Sequence, residues 1–188
     1  MIEENALIAR VCHDLITPCN AISLGIEAYE FSEDKSLLSS IKDSAAKANI
    51  TLKFMRELFI TRDPNYSYTI DFLSKLSSEF LETHNIICDF SSNFRDIDSL
   101  LSRIILFNSA ILKELMPMGG RAKFNIGNNS VNVIYSGNNL VEFDTVIPKE
   151  LTYKNIFRFK LLELLKISDF SVNSSMERGE GSITEKRN

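Results

Sequence analysis

Two heptad seams laid end to end constrain this chain more than any other feature. Ile8, Val11, Leu15, Pro18, Ile22, Gly25 and Tyr29 recur at intervals of 3 and 4, and so do Leu38, Ile41, Ala45, Ala48, Leu52, Met55 and Phe59. That spacing places each set on one stripe of an α-helix. The periodicity breaks between Ser32 and Ser36, where Asp34-Lys35-Ser36 supplies a helix start signal. Two helices joined by a short loop make an αα-hairpin. A lone hairpin leaves each seam half covered, so the simplest completion is a second copy, giving a homodimer through a four-helix bundle.

Beyond Asp63-Pro64-Asn65, a turn signal, the chain changes character. Residues 1–62 read as the hairpin domain and residues 66–188 as a second domain. Phe72, Leu73, Leu76, Phe80 and Leu81 mark a helix, and "NIICDFSS" marks a strand. A long apolar helix follows, stopped by Pro117 and the Gly119-Gly120 pair. "AKFNIGNNSVNVIYSGNN" alternates like a hairpin broken at Gly127-Asn128-Asn129. "KNIFRFKLLELLKI" is another helix, and a final hairpin turns at Gly179 to Gly181. The expected class is α+β, with the helices of the second domain on one face of a mainly antiparallel sheet.

Composition removes several function classes. The formal net charge is −4, whereas a general nucleic-acid binder needs a basic face to neutralise phosphates. Cys12, Cys19 and Cys88 are odd in number and lack a CxxC spacing, which suits reduced thiols in a cytoplasmic protein. "MIEENALIAR" is acidic where a secretory signal is basic. No window approaches the roughly 20 apolar residues that span a bilayer. Cys12, His13 and Cys19 do not make a zinc site, because no fourth ligand accompanies them; thiols buried at e positions are the favoured reading. His84 has no acidic or nucleophilic neighbour in motif spacing and reads as structural.

His13 is one of only two histidines, and heptad arithmetic puts it at f, on the outermost face with Asn20 and Glu27. Position alone favours an idle surface histidine. Its neighbours point the other way. Asp14 can orient an imidazole and stabilise its protonated form. Pro18 removes the hydrogen bond to the Asp14 carbonyl, at a cost on the order of 3 kcal/mol, and should bend the helix there.

"HDLITP", His13 to Pro18, with its continuation through Ala21 and Ile22, resembles the phospho-acceptor box of two-component histidine kinases. "FNSAILKELMPMGGRAKFNI" resembles the helix and Pro-x-Gly-Gly turn of the kinase asparagine box, and "SSMERGEGSI" its closing glycine hairpin. The positions that would hold the metal-ligand asparagines are Phe107 and Ile111, with Asn108 one residue off. "IYSGNNL" lacks the adenine-reading aspartate. An acceptor-box hairpin followed by a degenerate ATPase-like domain is similar to the ChpT family of histidine phosphotransferases from alphaproteobacteria.

That resemblance implies a homodimeric, cytoplasmic phosphotransferase. It would relay a phosphoryl group between the receiver domain of a hybrid histidine kinase and response regulators, and would engage neither nucleic acid nor membrane. His13 would be the nucleophile, Asp14 would hold the imidazole tautomer, and Thr17 would sit beside the reaction, either positioning water or simply lining the docking surface. No cofactor is implied for the chain itself, because the receiver supplies its own Mg²⁺. Arg10 is either a phosphoryl contact or a solvated side chain. Ile16 and Leu24, at the outer b and c positions, would form a receiver docking patch with Asn20 and Ser23, unless the second domain folds back over them. Two rival functions stay open: an ATP-dependent histidine kinase, and a non-catalytic dimeric adaptor whose acceptor box is vestigial.

Overall fold

The computed structural model describes every residue except 1, 61, 62, 64 and 65. Two antiparallel helices, α1 (Ile2–Ser32) and α2 (Leu37–Phe59), lead into a small ribbon and a mixed sheet. The expected turn at Asp63-Pro64-Asn65 falls largely outside the described residues. The remaining elements are β1 (Ser67–Thr69), α3 (Ile70–Glu82), β2 (Ile86–Ser92), β3 (Asp96–Asp98), α4 (Ser99–Leu115), β4 (Gly120–Gly127), β5 (Ser130–Ser136), α5 (Ile156–Ile167), β6 (Phe170–Glu177) and β7 (Glu180–Arg187).

The α1 seam packs largely as its spacing requires: Val11, Leu15, Pro18, Ile22, Gly25 and Tyr29 are half-buried, while Ile8 is exposed. A Cβ on Gly25 would come within 2.7 Å of Ile41 Cγ1, so glycine sets the close approach of the two helices. On α2 the inward stripe differs from expectation. It runs Ile41, Ser44, Ala48, Thr51, Met55 and Leu58, leaving Ala45 and Leu52 exposed. The reason lies at the end of the hairpin, where Phe54, Met55 and Leu58 are buried in one core with α3 and α4. Phe54 stacks on Phe80 with centroids 3.9 Å apart. Packing on three neighbours, rather than on one seam partner, decides which face of α2 turns inward.

Thr69 caps α3 by accepting from Phe72 N at 3.2 Å, and Asp98 caps α4 by accepting from Leu101 N at 2.8 Å. The three-residue strands β1 and β3 pair antiparallel and hold these two cap segments together. Neither strand has a sequence signal of its own. The main sheet has the order β2-β4-β5-β7-β6; β2 and β4 are parallel, and the other neighbours are antiparallel. The β2–β4 pair is parallel because the chain between them crosses over through α4. Phe124, Val131, Val133, Tyr135 and Ile183 face the helices and are fully buried. The other face is polar, and Asn125, Asn132 and Thr184 hydrogen-bond across three adjacent strands.

The last hairpin turns at Arg178 and Gly179, both at positive φ. Gly181, expected in the turn, lies instead in β7 beneath the Tyr135 ring, where a Cβ would sit 2.2 Å from Cζ. Gly181→Ala should therefore force Tyr135 aside and lower stability by about 1–3 kcal/mol, the usual cost of overpacking. A urea melt against wild type measures it; an unchanged midpoint means the ring moves freely.

Candidate active site

The middle of α1 carries the site, and buried charge anchors it. Asp14 is nine-tenths buried, and its Oδ2 accepts from Arg10 Nε at 3.1 Å and from Lys113 Nζ, itself buried on α4. Arg10 Nη1 donates to the Tyr153 carbonyl at 3.2 Å and lies 2.9 Å from Glu114 Oε1. The guanidinium also sits over the Phe157 ring of α5, at 5.0 Å from its centroid. The four charged groups tie α1 to α4, α5 and the segment before α5. Burial alone would raise the Asp14 carboxyl's pKa, but Lys113 and Arg10 together outweigh it and hold the group below its ordinary value.

His13 stands beside this cluster with its side chain 56% exposed. Its Nδ1 lies 3.3 Å from Asp14 Oδ1, and its ring packs at 5.0 Å and 32° against Tyr153. An ionised carboxylate only accepts hydrogen bonds, so in the neutral imidazole the proton belongs on Nδ1 and Nε2 keeps its lone pair. The two requirements of a nucleophilic histidine, a fixed tautomer and an accessible nitrogen, are therefore met by the same pair of residues.

A cleft of about 350 Å³ opens next to His13. α1 contributes His13, Asp14, Thr17, Pro18 and Ala21, and α2 contributes Ser44, Lys47 and Thr51. Thr83 and His84, at the junction of α3 and β2, close its end. His84 is thus not remote from the site, as the sequence suggests, but lines the cleft with His13. Burial, with Lys113 next, lowers its pKa to about 4, and its ring meets Phe80 edge to face at 5.1 Å. It is a neutral imidazole at physiological pH. Pro18 also lines the cleft, and the α1 helix continues through it without interruption.

The structure separates the proposed partner-facing residues. Ile16, Asn20, Ser23 and Leu24 are exposed on one side of α1, and the second half of the chain does not cover them. Arg10 is different: it is 5% exposed and engaged in the ion cluster, so it is neither solvated nor on that face. The reason is its reach across to Asp14, Glu114 and the Tyr153 carbonyl, which heptad position does not register. Cys12 and Cys19, expected to be buried, are both exposed. Thr17 is exposed at the mouth of the cleft.

Several residues of the site have no motif signal. Lys113 and Tyr153 arrive from positions far along the chain. Lys47 and Thr51 had a visible trace, since Ser44, Lys47 and Thr51 are polar residues at 3 and 4 spacing on a stripe beside the apolar seam. In the second half, Phe107 and Ile111 are buried in the core, and Asn108 is wholly buried and donates to Glu185 Oε1 at 2.9 Å.

No protein-family model matches the chain. The protein phosphotransferase ChpT of Brucella abortus (strain 2308) is 41% identical over 54 residues, which are 28% of this chain and 26% of ChpT. The match thus spans about a quarter of that relative's length. A bacterial phosphotransferase solved at 1.7 Å superposes with a TM-score of 0.85 and 17% identity, over 98% of this chain and 95% of that one. The histidine kinase AdeS of Acinetobacter baumannii follows at a TM-score of 0.51 and 9% identity, over 94% and 97%. The similarity to ChpT therefore holds in sequence over one segment, and the fold of the solved bacterial phosphotransferase is shared along almost the whole chain. No helix among the described residues is long and apolar enough to cross a membrane.

Proposed function

We propose that this chain is a ChpT-type histidine phosphotransferase that moves a phosphoryl group between receiver domains through His13. The observation that carries the reading is the His13–Asp14 pair. A carboxylate held ionised by Arg10 and Lys113 keeps the proton on Nδ1 and leaves Nε2 free at an exposed position. In the forward step the Nε2 lone pair attacks the phosphorus of a receiver's aspartyl phosphate. The N–P bond forms as the P–O bond breaks, and the receiver carboxylate leaves with the electron pair. Nδ1 keeps its proton, and the positive charge that develops on the ring is balanced by Asp14. Transfer to a response regulator reverses these steps. Mg²⁺ is the receiver's, bound in its own acidic pocket.

Docking is assigned to the exposed Ile16, Asn20, Ser23 and Leu24 face, which presents two aliphatic side chains beside the reactive histidine. Two copies would pair through their hairpins, burying the exposed Leu38 and Leu52 of α2. The protein would act in the cytoplasm, where hybrid kinases and response regulators meet. An ATP-dependent kinase is the weaker reading, because Phe107, Asn108 and Ile111, which cover the metal-ligand positions, are packed in the core.

The test is transfer from a ³²P-labelled receiver domain of a hybrid kinase in the presence of Mg²⁺. Wild type should acquire acid-labile, base-stable label, and His13→Ala should acquire none. Labelling from ATP without a receiver would instead favour the kinase. A folded protein that takes label from no phosphorylated receiver would sink the relay and leave the adaptor.

A further inference from the structure

Beside His13 the hairpin interior changes from aliphatic to polar. A helix pair of this kind ordinarily fills its seam with apolar side chains, yet Ser44 and Thr51 turn inward on α2 and, with the exposed Lys47 beside them, line the cleft that holds His13. The charged groups bordering this space fall into two sets. Arg10 and Lys113 have buried side chains, and both are paired with Asp14. Lys47 has no ion-pair partner among the described residues, and it lies close enough to His84 to act on that imidazole electrostatically. A single uncompensated cation therefore shares the cleft with a histidine whose second nitrogen is free.

Resting on the reading of His13 as the phospho-acceptor, we infer that Lys47 is the side chain that neutralises the phosphoryl group carried on His13 Nε2. A transferring phosphoryl group spreads negative charge over its equatorial oxygens, and a positioned cation is what stabilises it. The receiver's metal departs with the receiver, so the phosphohistidine left behind needs a counter-charge from this chain. Asp14 cannot provide one, because it faces Nδ1 and is itself anionic. His84 is uncharged. A lysine suits the role, since its ammonium is a compact charge on a flexible stem that can follow the group as it arrives and leaves.

The test loads the full-length protein with phosphoramidate, a small-molecule phosphoryl donor, so that no receiver is needed. The donor's P–N bond breaks, ammonia leaves, and the new N–P bond forms at His13. ³¹P NMR then follows the second ionisation of the phosphohistidine, with His13→Ala showing that the signal is not from His84. The wild-type titration should lie about one pH unit below that of Lys47→Met, because a cation sharing the cleft favours the dianion. Lys47→Arg should restore most of the shift. Lys47 is exposed, so both variants should fold, and thermal melts confirm it. Superimposable titrations for wild type and Lys47→Met would overturn the inference. So would failure of phosphoramidate to label His13, since the cleft would then not accept the group. A failure of the relay reading shows itself differently, as absent transfer from phosphorylated receivers while the Lys47-dependent shift persists.

Discussion

Lys113→Met should destabilise the protein by about 3 kcal/mol and slow phosphoryl transfer by at least 100-fold. Lys113 is 7% exposed and donates to Asp14, which is 9% exposed. Removing one partner of a buried ion pair leaves the other charge uncompensated, typically at a cost of about 3–5 kcal/mol. Arg10 still reaches Asp14 at 3.1 Å, so the lower end of that range applies. The same change weakens the hold on ionised Asp14. A carboxyl that protonates no longer demands the proton of His13 Nδ1, and the imidazole loses its preferred tautomer. General acid–base and orienting groups of this kind contribute roughly 10²–10⁴ in rate.

The double variant Asp14→Asn, Lys113→Met separates the two effects. Replacing both partners removes the stranded charge, so stability should return most of the way towards wild type. Transfer should stay low, because a neutral amide does not balance the developing imidazolium. Urea melts and transfer from a phosphorylated receiver measure the pair of outcomes. A double variant that recovers transfer along with stability would show that Asp14 acts on the fold alone.

The two halves of this site were not equally legible. The His13–Pro18 stretch stood out because its residues are contiguous and because a proline inside a helix needs a reason. The exposed Ile16 and Leu24 were visible because heptad position predicts exposure on a single helix. What heptad position does not carry is the reach of a long side chain. Arg10 lies at an outer position and is buried all the same, because its guanidinium crosses to Glu114 and a backbone carbonyl. His84 looked idle because the charged groups that act on it belong to α1, α2 and α4, brought together only by the fold. In α2 the apolar spacing alone favoured Ala45 and Leu52, whereas packing against α3 and α4 turned Thr51 and Leu58 inward. The sheet was legible strand by strand from its alternation, but the parallel β2–β4 pair and the β1–β3 ribbon are long-range pairings without a local signature.

Raising the pH should weaken this protein through Glu185, and Glu185→Gln should remove that sensitivity. Glu185 is wholly buried on β7; its Oε1 accepts from Asn108 Nδ2 at 2.9 Å, and its Oε2 has no hydrogen-bond partner. Burial raises its pKa from 4.5 to about 8, with the Asn108 hydrogen bond working in the opposite direction. The folded chain therefore binds a proton that the unfolded chain has released. The resulting stability is fully present below pH 4.5 and is lost as pH rises through about 8. At about 1.4 kcal/mol per unit, the full loss is bounded at about 5 kcal/mol. Glu114, whose pKa burial raises to about 7, contributes with the same sign but lower in pH. Asp14, held below its ordinary value, acts only in acid.

Melting temperatures between pH 7 and 9 therefore isolate Glu185. Wild type should fall from pH 7 to about 8 and then level off, since above the folded pKa both states have lost the proton, while Glu185→Gln, which keeps the shape and cannot ionise, should be nearly flat and the more stable of the two at pH 9. Parallel curves would mean that water or a rearranged Asn108 solvates the carboxylate. The outcome also bears on what the second half does. Asn108 lies one position from where the kinase resemblance would put a metal ligand, and here it is committed to a buried carboxyl. If Glu185 must stay protonated for the sheet and α4 to pack, Asn108 is not free to hold a cation. The domain then serves to present Lys113, Tyr153 and His84 to the hairpin.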